Sequence, residues 1–207
     1  FDGPEFLQAL SAVGGQRYGV AILFQIQLQQ LPVLVHPLLQ DVPAVLALCR
    51  SNPLYYRHCP PDPCTESIFA DMAALPPGKT PQDKHYLGIR KDGRLAAVWD
   101  LVCGFPDART AFWGFFMVDA SLQGNGFGSA VVQALCGMLA GHFAHIRLGF
   151  VSTNPQSRHF WLKNGFAPTG AVSRQEAYEI LYAQRELKKE KGLPLNTFFL
   201  AEDVPEY

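Results

Sequence analysis

The chain has 207 residues, with 17 Lys and Arg against 18 Asp and Glu, so its formal net charge is −1. Hydrophobic residues make up 48% and charged residues 17%, which excludes a disordered chain, and a pI near 6.6 provides no global basic field for binding nucleic acid. At about 100–200 residues per domain, this length predicts one compact domain that needs no disulfide to fold.

The cysteines are odd in number and widely spaced, which is typical of reduced thiols in a cytoplasmic protein: Cys49, Cys59, Cys64, Cys103 and Cys136. His58 beside two of them invites a metal-site interpretation. The segment between those two is stiff Pro-Pro-Asp-Pro, and no second Cys/His pair follows at finger spacing, so no metal is expected. The most apolar stretch, residues 18–35, is interrupted by glutamines and Pro32 and falls short of the ~20 apolar residues of a membrane span.

The first 40 residues are expected to be an N-terminal arm of uncertain structure, with a short helix suggested over 5–12, a break at Gly14-Gly15 and a strand suggested over 18–29. From residue 41 the pattern is regular, and helical or alternating spacing predicts each element. In chain order these are a helix capped by Asp41 and ending near 51–53, a helix over 65–75, strands over 85–90, 94–102 and 110–119, a helix over 129–140, a strand over 145–152, a helix from Asn154-Pro155 to Asn164-Gly165, and a strand over 177–187. Residues 188–207 change composition and are expected to be a C-terminal tail.

The order of these elements indicates the α/β class, with a mixed sheet and helices on both faces. Asp92-Gly93 favours a tight antiparallel hairpin between the first two strands. The strands at 110–119 and 145–152 are joined by a helix, so they are expected to be parallel neighbours. Their junction is where a functional site is expected.

A glycine-rich segment follows the strand at 110–119 and opens a helix, with glycines at 124, 126 and 128. Such a turn points successive amides inward, and the helix adds its positive dipole end, which makes a cradle for a pyrophosphate. The glycine spacing differs from the Gly-x-Gly-x-x-Gly of a Rossmann fold. Gly78-Lys79-Thr80 imitates the end of a P-loop, but Ala73 stands where the loop's first Gly belongs.

Two blocks together resemble the GNAT superfamily of N-acetyltransferases. Gln123-x-x-Gly126-x-Gly128 matches the family's Gln/Arg-x-x-Gly-x-Gly/Ala signature for acetyl-coenzyme A, and residues 160–166, Phe-Trp-Leu-Lys-Asn-Gly-Phe, are similar to its aromatic-x-x-x-Gly-Phe block. The resemblance covers about residues 41–187. It implies a largely antiparallel, mixed central sheet with helices on both faces and a parallel strand pair splayed at the acetyl-coenzyme A site.

The resemblance also implies a set of residues that bind acetyl-coenzyme A as cosubstrate. Backbone groups of Met117 and Val118 would pair with the pantetheine arm, as an added strand would. Asn154 would reach the pantetheine amides, although Asn before Pro is equally a helix cap. The pyrophosphate loop and the following helices would supply the remaining contacts: Gln123, Gly124, Asn125, Gly126, Phe127, Gly128, Ser129, Ser157 and Trp161.

The implied chemistry is attack of a neutral amine on a thioester, with the Val118 amide as oxyanion donor. Many relatives place a Tyr where this chain has Trp161, and an indole cannot give up a proton at neutral pH. Tyr55 and Tyr56 are alternative acids, and aromatic packing explains them as well.

For the base, Asp100 interrupts an apolar strand, where an ionisable group is costly unless it is paired or functional. A structural salt bridge is the alternative interpretation of Asp100, and His85 and His58 are further candidates. Gly114, in mid-strand, is typical of a bulge or a close backbone approach.

The sequence thus predicts three regions, an N-terminal arm over 1–40, an N-acetyltransferase domain over 41–187 and a tail over 188–207. The predicted activity is transfer of an acetyl group from acetyl-coenzyme A to the primary amine of a small molecule or peptide, in a cytoplasmic monomer or homodimer, without nucleic-acid or membrane partners. The alternative is a non-catalytic coenzyme A-binding or partner-binding module of the same fold, suggested by Trp161 and by the lack of an acidic residue in the strand at 110–118.

Overall fold

The structure is a computed structural model, and it describes residues 22–26, 31–37 and 41–188. Its strands are β1 (Ile22–Ile26), β2 (Leu31–Pro37), β3 (Lys84–Lys91), β4 (Arg94–Cys103), β5 (Thr110–Val118), β6 (His145–Val151), β7 (Ala167–Arg174) and β8 (Glu179–Glu186). Its helices are α1 (Val42–Arg50), α2 (Pro53–His58), α3 (Thr65–Ala73), α4 (Phe127–Leu139) and α5 (Pro155–Lys163). The helix suggested over 5–12 and nearly all of the predicted tail lie outside the described residues.

The strands form one sheet in the order β1-β2-β3-β4-β5-β6-β8-β7. Neighbouring strands are antiparallel except for β5 and β6, which run parallel. The predicted mixed, largely antiparallel sheet with one parallel pair is therefore confirmed. None of the helices in the described ranges is long and apolar enough to cross a membrane.

Each face of the sheet carries its own apolar core. Helices α4 and α5 pack on the first face, against alternate residues of the central strands such as Trp99, Leu101 and Trp113. Helices α1 and α3 pack on the second face, against Val98 and Met117. Because successive strand residues point to opposite faces, these clusters assign every β4 and β5 side chain near the site to one face.

Most of the predicted elements form within a few residues of their expected bounds. The Asp92-Gly93 turn has the two positive φ angles, 51° and 75°, that a tight hairpin requires. Asp41 does not cap α1, because its carboxylate forms an ion pair with the Arg90 guanidinium instead.

The sequence missed three elements. Helix α2 is only six residues long and buries no side chain, so no apolar periodicity marks it. Strand β7 lies at the edge of the sheet and is mostly exposed, so the alternation that reveals a strand is absent there. In the expected arm, β1 lies within the strand suggested over 18–29, and the missed element is β2, which pairs with β1 and β3 and so extends the sheet.

The parallel pair is short. Strand β5 pairs with β6 only over residues 110–113, opposite residues 145–148, and beyond Trp113 and Leu148 the two strands separate. On its other edge β5 pairs with β4 along its length, with a register shift beside Asp100 that leaves Gly114 as the extra residue. The second half of β5 is thus held on one edge and open on the other.

Candidate active site

A cleft of about 1260 Å³ opens where β5 and β6 separate. The cleft runs through the gap in the sheet, so both faces contribute to it. The loop after β5 and helix α5 line one half, which we call the loop half. The other half, which we call the helix half, is lined by helices α2 and α3, by residues of β3, β4 and β5 on the second face of the sheet, and by the β7–β8 turn.

Backbone groups of β5 face the gap at alternate positions. The Asp119 amide donates to the Ala96 carbonyl at 2.9 Å, so this pair is hydrogen-bonded within the antiparallel ladder. By alternation, the amides of Phe116 and Val118 point away from β4 into the gap. The Met117 amide points into the ladder with β4, which corrects the expectation that Met117 offers its backbone to a ligand in the gap.

The glycine-rich segment forms a tight turn that ends at the first residue of α4. Gly124 and Gly126 have φ angles of 80° and 88°, in the left-handed region that favours glycine. Helix α4 begins directly afterwards at Phe127, whose amide donates to the Asn125 side chain at 3.1 Å. Gly128 brings α4 close to its neighbours, since a Cβ there would lie 3.2 Å from the Phe160 ring. The turn therefore presents amides and a helix N-terminus to the cleft.

A polar network connects this loop to the end of β5 and to the helix half. The Gln123 side-chain amide donates to the backbone carbonyl of Val118 at 2.9 Å and to the side-chain oxygen Oδ1 of Asn52 at 2.6 Å. Asn52, just before α2, also donates to the Val118 carbonyl at 3.1 Å. The Gln156 amide nitrogen of α5 lies 3.3 Å from the Gln123 carbonyl oxygen. The Val118 carbonyl at the end of β5 is thus held by two side chains, and one of them is itself held from α5.

Helix α5 closes the loop half. The buried Asn154 caps it, because its side-chain oxygen accepts from the Ser157 amide at 3.0 Å. Ser157 itself lines the cleft. Trp161 also lines it and packs in an aromatic cluster with Trp113, Phe116, Phe160 and Phe166, at ring-centroid distances of 4.9–6.1 Å. The structure thus makes Trp161 part of the core beneath the cleft.

Asp100 lies in the helix half, on the second face of the sheet. Its Oδ2 accepts from Lys84 Nζ at 2.8 Å, and the two side chains are only 8% and 6% exposed. Its Oδ1 is buried and has no protein partner among the described residues. Burial raises the pKa of the Asp100 carboxyl to about 6, although Lys84 acts in the opposite direction.

Gly114 provides the space that the Asp100 carboxylate occupies. A Cβ on Gly114 would overlap that carboxylate, so the bulge, the missing side chain and the buried acid belong to one arrangement. At the mouth of the same half lies Asp71, an exposed carboxylate whose pKa is raised by partial desolvation and lowered by Lys84. The three groups therefore interact electrostatically.

A sequence profile described as the Acetyltransferase (GNAT) family matches residues 47–166 of this chain, and both blocks singled out in the sequence lie inside the match. The chain belongs to the GNAT acetyltransferase family. No curated protein sequence matches it.

Solved structures of low identity share the GNAT fold. An acetyltransferase from Thermus thermophilus aligns with a TM-score of 0.61 at 17% identity, covering 75% of this chain and 97% of that one. The acetyltransferase from Salmonella typhimurium that modifies the N-terminal serine of ribosomal protein L7/L12 gives 0.59 at 18%, covering 75% and 95%. The ribosomal-protein-S18-alanine N-acetyltransferase from Escherichia coli gives 0.55 at 14%, covering 80% and 99%. These likenesses establish the fold.

The other candidate acids and bases lie in different surroundings. Tyr56 lines the cleft, its hydroxyl meets the buried Cys49 thiol, and burial raises its pKa. His85 lies beside Leu101 in the register, hence on the face opposite Asp100, and burial lowers its pKa. His58 Nδ1 lies 3.0 Å from the Thr153 hydroxyl. Of the three predicted bases, Asp100 lines the cleft, and His58 and His85 do not.

Several lining residues escaped the sequence reasoning. Tyr178, in the β7–β8 turn, is one of them, and it meets the Cys59 thiol. The predicted candidate Tyr55 meets the same thiol, and burial raises the pKa of Tyr55. Lys84 and Asp71 gave no motif signal, because neither stands in a recognisable pattern. Lys84 could have been found only as the cation that a buried Asp100 requires. Among the described residues, no group of three His, Cys, Asp or Glu side chains could hold a metal ion.

Proposed function

We propose that this acetyltransferase moves an acetyl group from acetyl-coenzyme A to a primary amine. The observation that carries the proposal is the opening of the parallel pair beside a glycine turn, which joins unpaired strand amides to a helix N-terminus in one continuous cleft. A pyrophosphate fits the turn because amides and a helix dipole face it. A pantetheine arm fits the gap because its amides can pair with the free edge of β5.

The residues that would hold the cosubstrate follow from this arrangement. Residues 123–129 serve the pyrophosphate, and Ser157 and Asn154 border the arm. The Val118 amide, at the end of β5 that leads into the turn, serves the pantetheine. The Phe116 amide, beside the Phe115 that pairs with Asp100, is the oxyanion donor in this proposal, in place of the expected Val118. Gln123 and Asn52 act as positioning residues, since both hold the Val118 carbonyl.

Asp100 is the proposed general base, acting directly or through one water. A primary amine with a pKa near ~10 arrives protonated, so it must lose one proton to solvent before it can attack the acetyl carbon and a second proton as the amide forms. With a pKa of about 6, Asp100 is ionised near neutral pH and remains basic enough to accept a proton. As the nitrogen–carbon bond forms and the carbon–sulfur bond breaks, this second proton passes from the nitrogen to Asp100, which returns it to solvent, and the thiolate leaves.

Trp161 does not protonate that thiolate, because an indole N–H is not an acid near neutral pH. The coenzyme thiol has an ordinary pKa of about 8.5, so the thiolate is a tolerable leaving group without an acid. Tyr55 and Tyr178 are neutral hydroxyls of the helix half that can hydrogen-bond to it or to the amine.

A mixed panel of small amines tests the proposal, with coenzyme A thiol release measured beside thermal stabilisation by acetyl-coenzyme A alone. Stabilisation with thiol release and a product heavier by one acetyl group is expected. Stabilisation without release for any amine favours a non-catalytic coenzyme A-binding module, and no stabilisation overturns the proposal.

We also propose that the transferase domain comprises residues 41–187 together with the β1–β2 hairpin that extends its sheet, and that it works in the cytoplasm. All five cysteines lie among the described residues and are free thiols, which fits a reducing compartment. Absence of the protein from the soluble fraction of fractionated cells would contradict this location.

A further inference from the structure

The wall of the helix half beyond Asp100 is aromatic. Trp113 and Ala183 belong to the first face, so their neighbours Phe112 and Tyr182 point to the second face, where Asp100 also lies. Phe112 stands 5.5 Å from Phe105 in a T-shaped contact and 6.5 Å from Tyr182. All three rings line the cleft and keep part of their surface accessible.

The side chains that line the helix half carry a net negative charge. Its charged lining residues are Asp71, Asp100 and Lys84, and the lysine is already paired with Asp100 at 2.8 Å. The other cationic side chains among the described lining residues are His159 and Lys163, both on α5, which packs against the opposite face. The helix half thus attracts an ammonium group and, among its described residues, has no unpaired cation for a carboxylate.

We propose that the acceptor is a primary amine on an aromatic or other bulky apolar skeleton, with no carboxylate beside the nitrogen. This inference rests on the proposed transferase function and adds the substrate class. Asp71 draws in the ammonium group, Asp100 receives its proton, and the apolar body packs against Phe105, Phe112 and Tyr182. A carboxylate next to the amine would face Asp71 and Asp100 and would be repelled.

Four matched amines test this class, with kcat/KM expressed per unprotonated amine. They are 2-phenylethylamine, n-butylamine, which lacks the ring, L-phenylalanine, which adds a carboxylate, and L-phenylalaninamide, which adds an uncharged amide and imitates a peptide N-terminus. We expect 2-phenylethylamine to exceed n-butylamine by about 10-fold and L-phenylalanine by about 30-fold or more. A high rate with L-phenylalaninamide indicates that the acceptor is a peptide N-terminus, and a low rate indicates a free small-molecule amine.

Two variants assign the preference to the named residues. Phe112→Leu keeps an apolar side chain and should lower the ratio of 2-phenylethylamine to n-butylamine by about 3- to 10-fold. Its control is Phe69→Leu, at a phenylalanine that is 54% exposed on α3 and does not line the cleft. Asp71→Asn should reduce the discrimination against L-phenylalanine, and Asp92→Asn, in the β3–β4 turn, is the matched charge control.

The outcomes separate this inference from the transferase proposal. Thiol release with other amines but not with the aromatic ones, or equal rates for L-phenylalanine and 2-phenylethylamine, would overturn the acceptor class and leave the transferase standing. Failure of acetyl-coenzyme A to stabilise the protein would overturn both. Variants whose melting temperature matches wild type while the two ratios fall as stated support the assignment.

Discussion

The two halves of the cleft present different kinds of chemical group to a ligand. In the loop half the functional groups are mostly backbone amides, presented by an open strand edge and by the glycine turn at 123–129. In the helix half they are side chains from distant elements, such as Asp71 of α3, Lys84 of β3 and Asp100 of β4. Changes in the loop half should therefore weaken cosubstrate binding, and changes in the helix half should slow turnover with binding intact.

The largest effect is expected from Asp100→Asn. The amide keeps the shape and can still accept from Lys84, but it cannot take a proton. We expect kcat to fall by about 100-fold or more, the size usual for loss of a general base, with acetyl-coenzyme A affinity nearly unchanged. Steady-state kinetics and calorimetry on the same preparation measure both quantities. Near-wild-type turnover would remove Asp100 from the mechanism.

Gly126→Asp tests the loop half. The substitution places a carboxylate where a pyrophosphate is expected, at a φ of 88° that an ordinary side chain rarely adopts. We expect the dissociation constant of acetyl-coenzyme A to rise by about 30-fold, or roughly 2 kcal/mol. Gly126→Asn is the control, because it shares the backbone strain and lacks the charge. Unchanged affinity in a folded Gly126→Asp protein would show that the turn does not hold the pyrophosphate.

Gly114→Ala tests the helix half without replacing an ionisable residue. The new methyl group would overlap the Asp100 carboxylate, so the acid must move away from Lys84. We expect kcat to fall by about 10-fold, less than for loss of the acid itself, with cosubstrate affinity retained. Gly137→Ala, on α4, is a suitable control, since a Cβ there meets nothing within 4 Å. Equal activity of the two variants would separate Gly114 from Asp100.

Trp161→Phe should have the smallest effect. The ring remains in its aromatic cluster and only the indole N–H is lost, so we expect turnover to fall by less than about 10-fold. Kinetics across several acetyl-coenzyme A concentrations check this. A thousandfold loss with intact affinity would identify Trp161 as a chemical participant.

The contrast between the two halves also explains how much of the candidate site could be predicted from the sequence. The turn at 123–129 was predictable because glycine spacing after a strand determines backbone shape locally. Asp100 was found because an acid in an apolar strand is conspicuous, but its partner Lys84 begins a different strand and depends on the β3–β4 register. The contact between the Tyr56 hydroxyl and Cys49 likewise depends on how α1 and α2 pack together, which the sequence does not reveal.

Edge and loop features were also out of reach. Strand β7 lies at the sheet edge with little burial, so its residues carry no alternating pattern. Asn52 precedes a proline and would pass for a simple helix cap, but its side chain makes no cap hydrogen bond and reaches the Val118 carbonyl 66 residues along the chain. Such contacts arise from tertiary packing, which local spacing does not encode.

The most direct test of the account is the pH dependence of kcat, measured for wild type and for Asp100→Asn with one amine that the wild-type protein acetylates. A base must be ionised to act, so wild-type kcat should be level above the pKa of Asp100 in the substrate complex, which is about 6 in the free protein, and fall about 10-fold per pH unit below it. Asp100→Asn should lack that limb, and its deficit should shrink at high pH, where solvent deprotonates the amine. The same acidic limb in both proteins, at equal rates, would contradict the account.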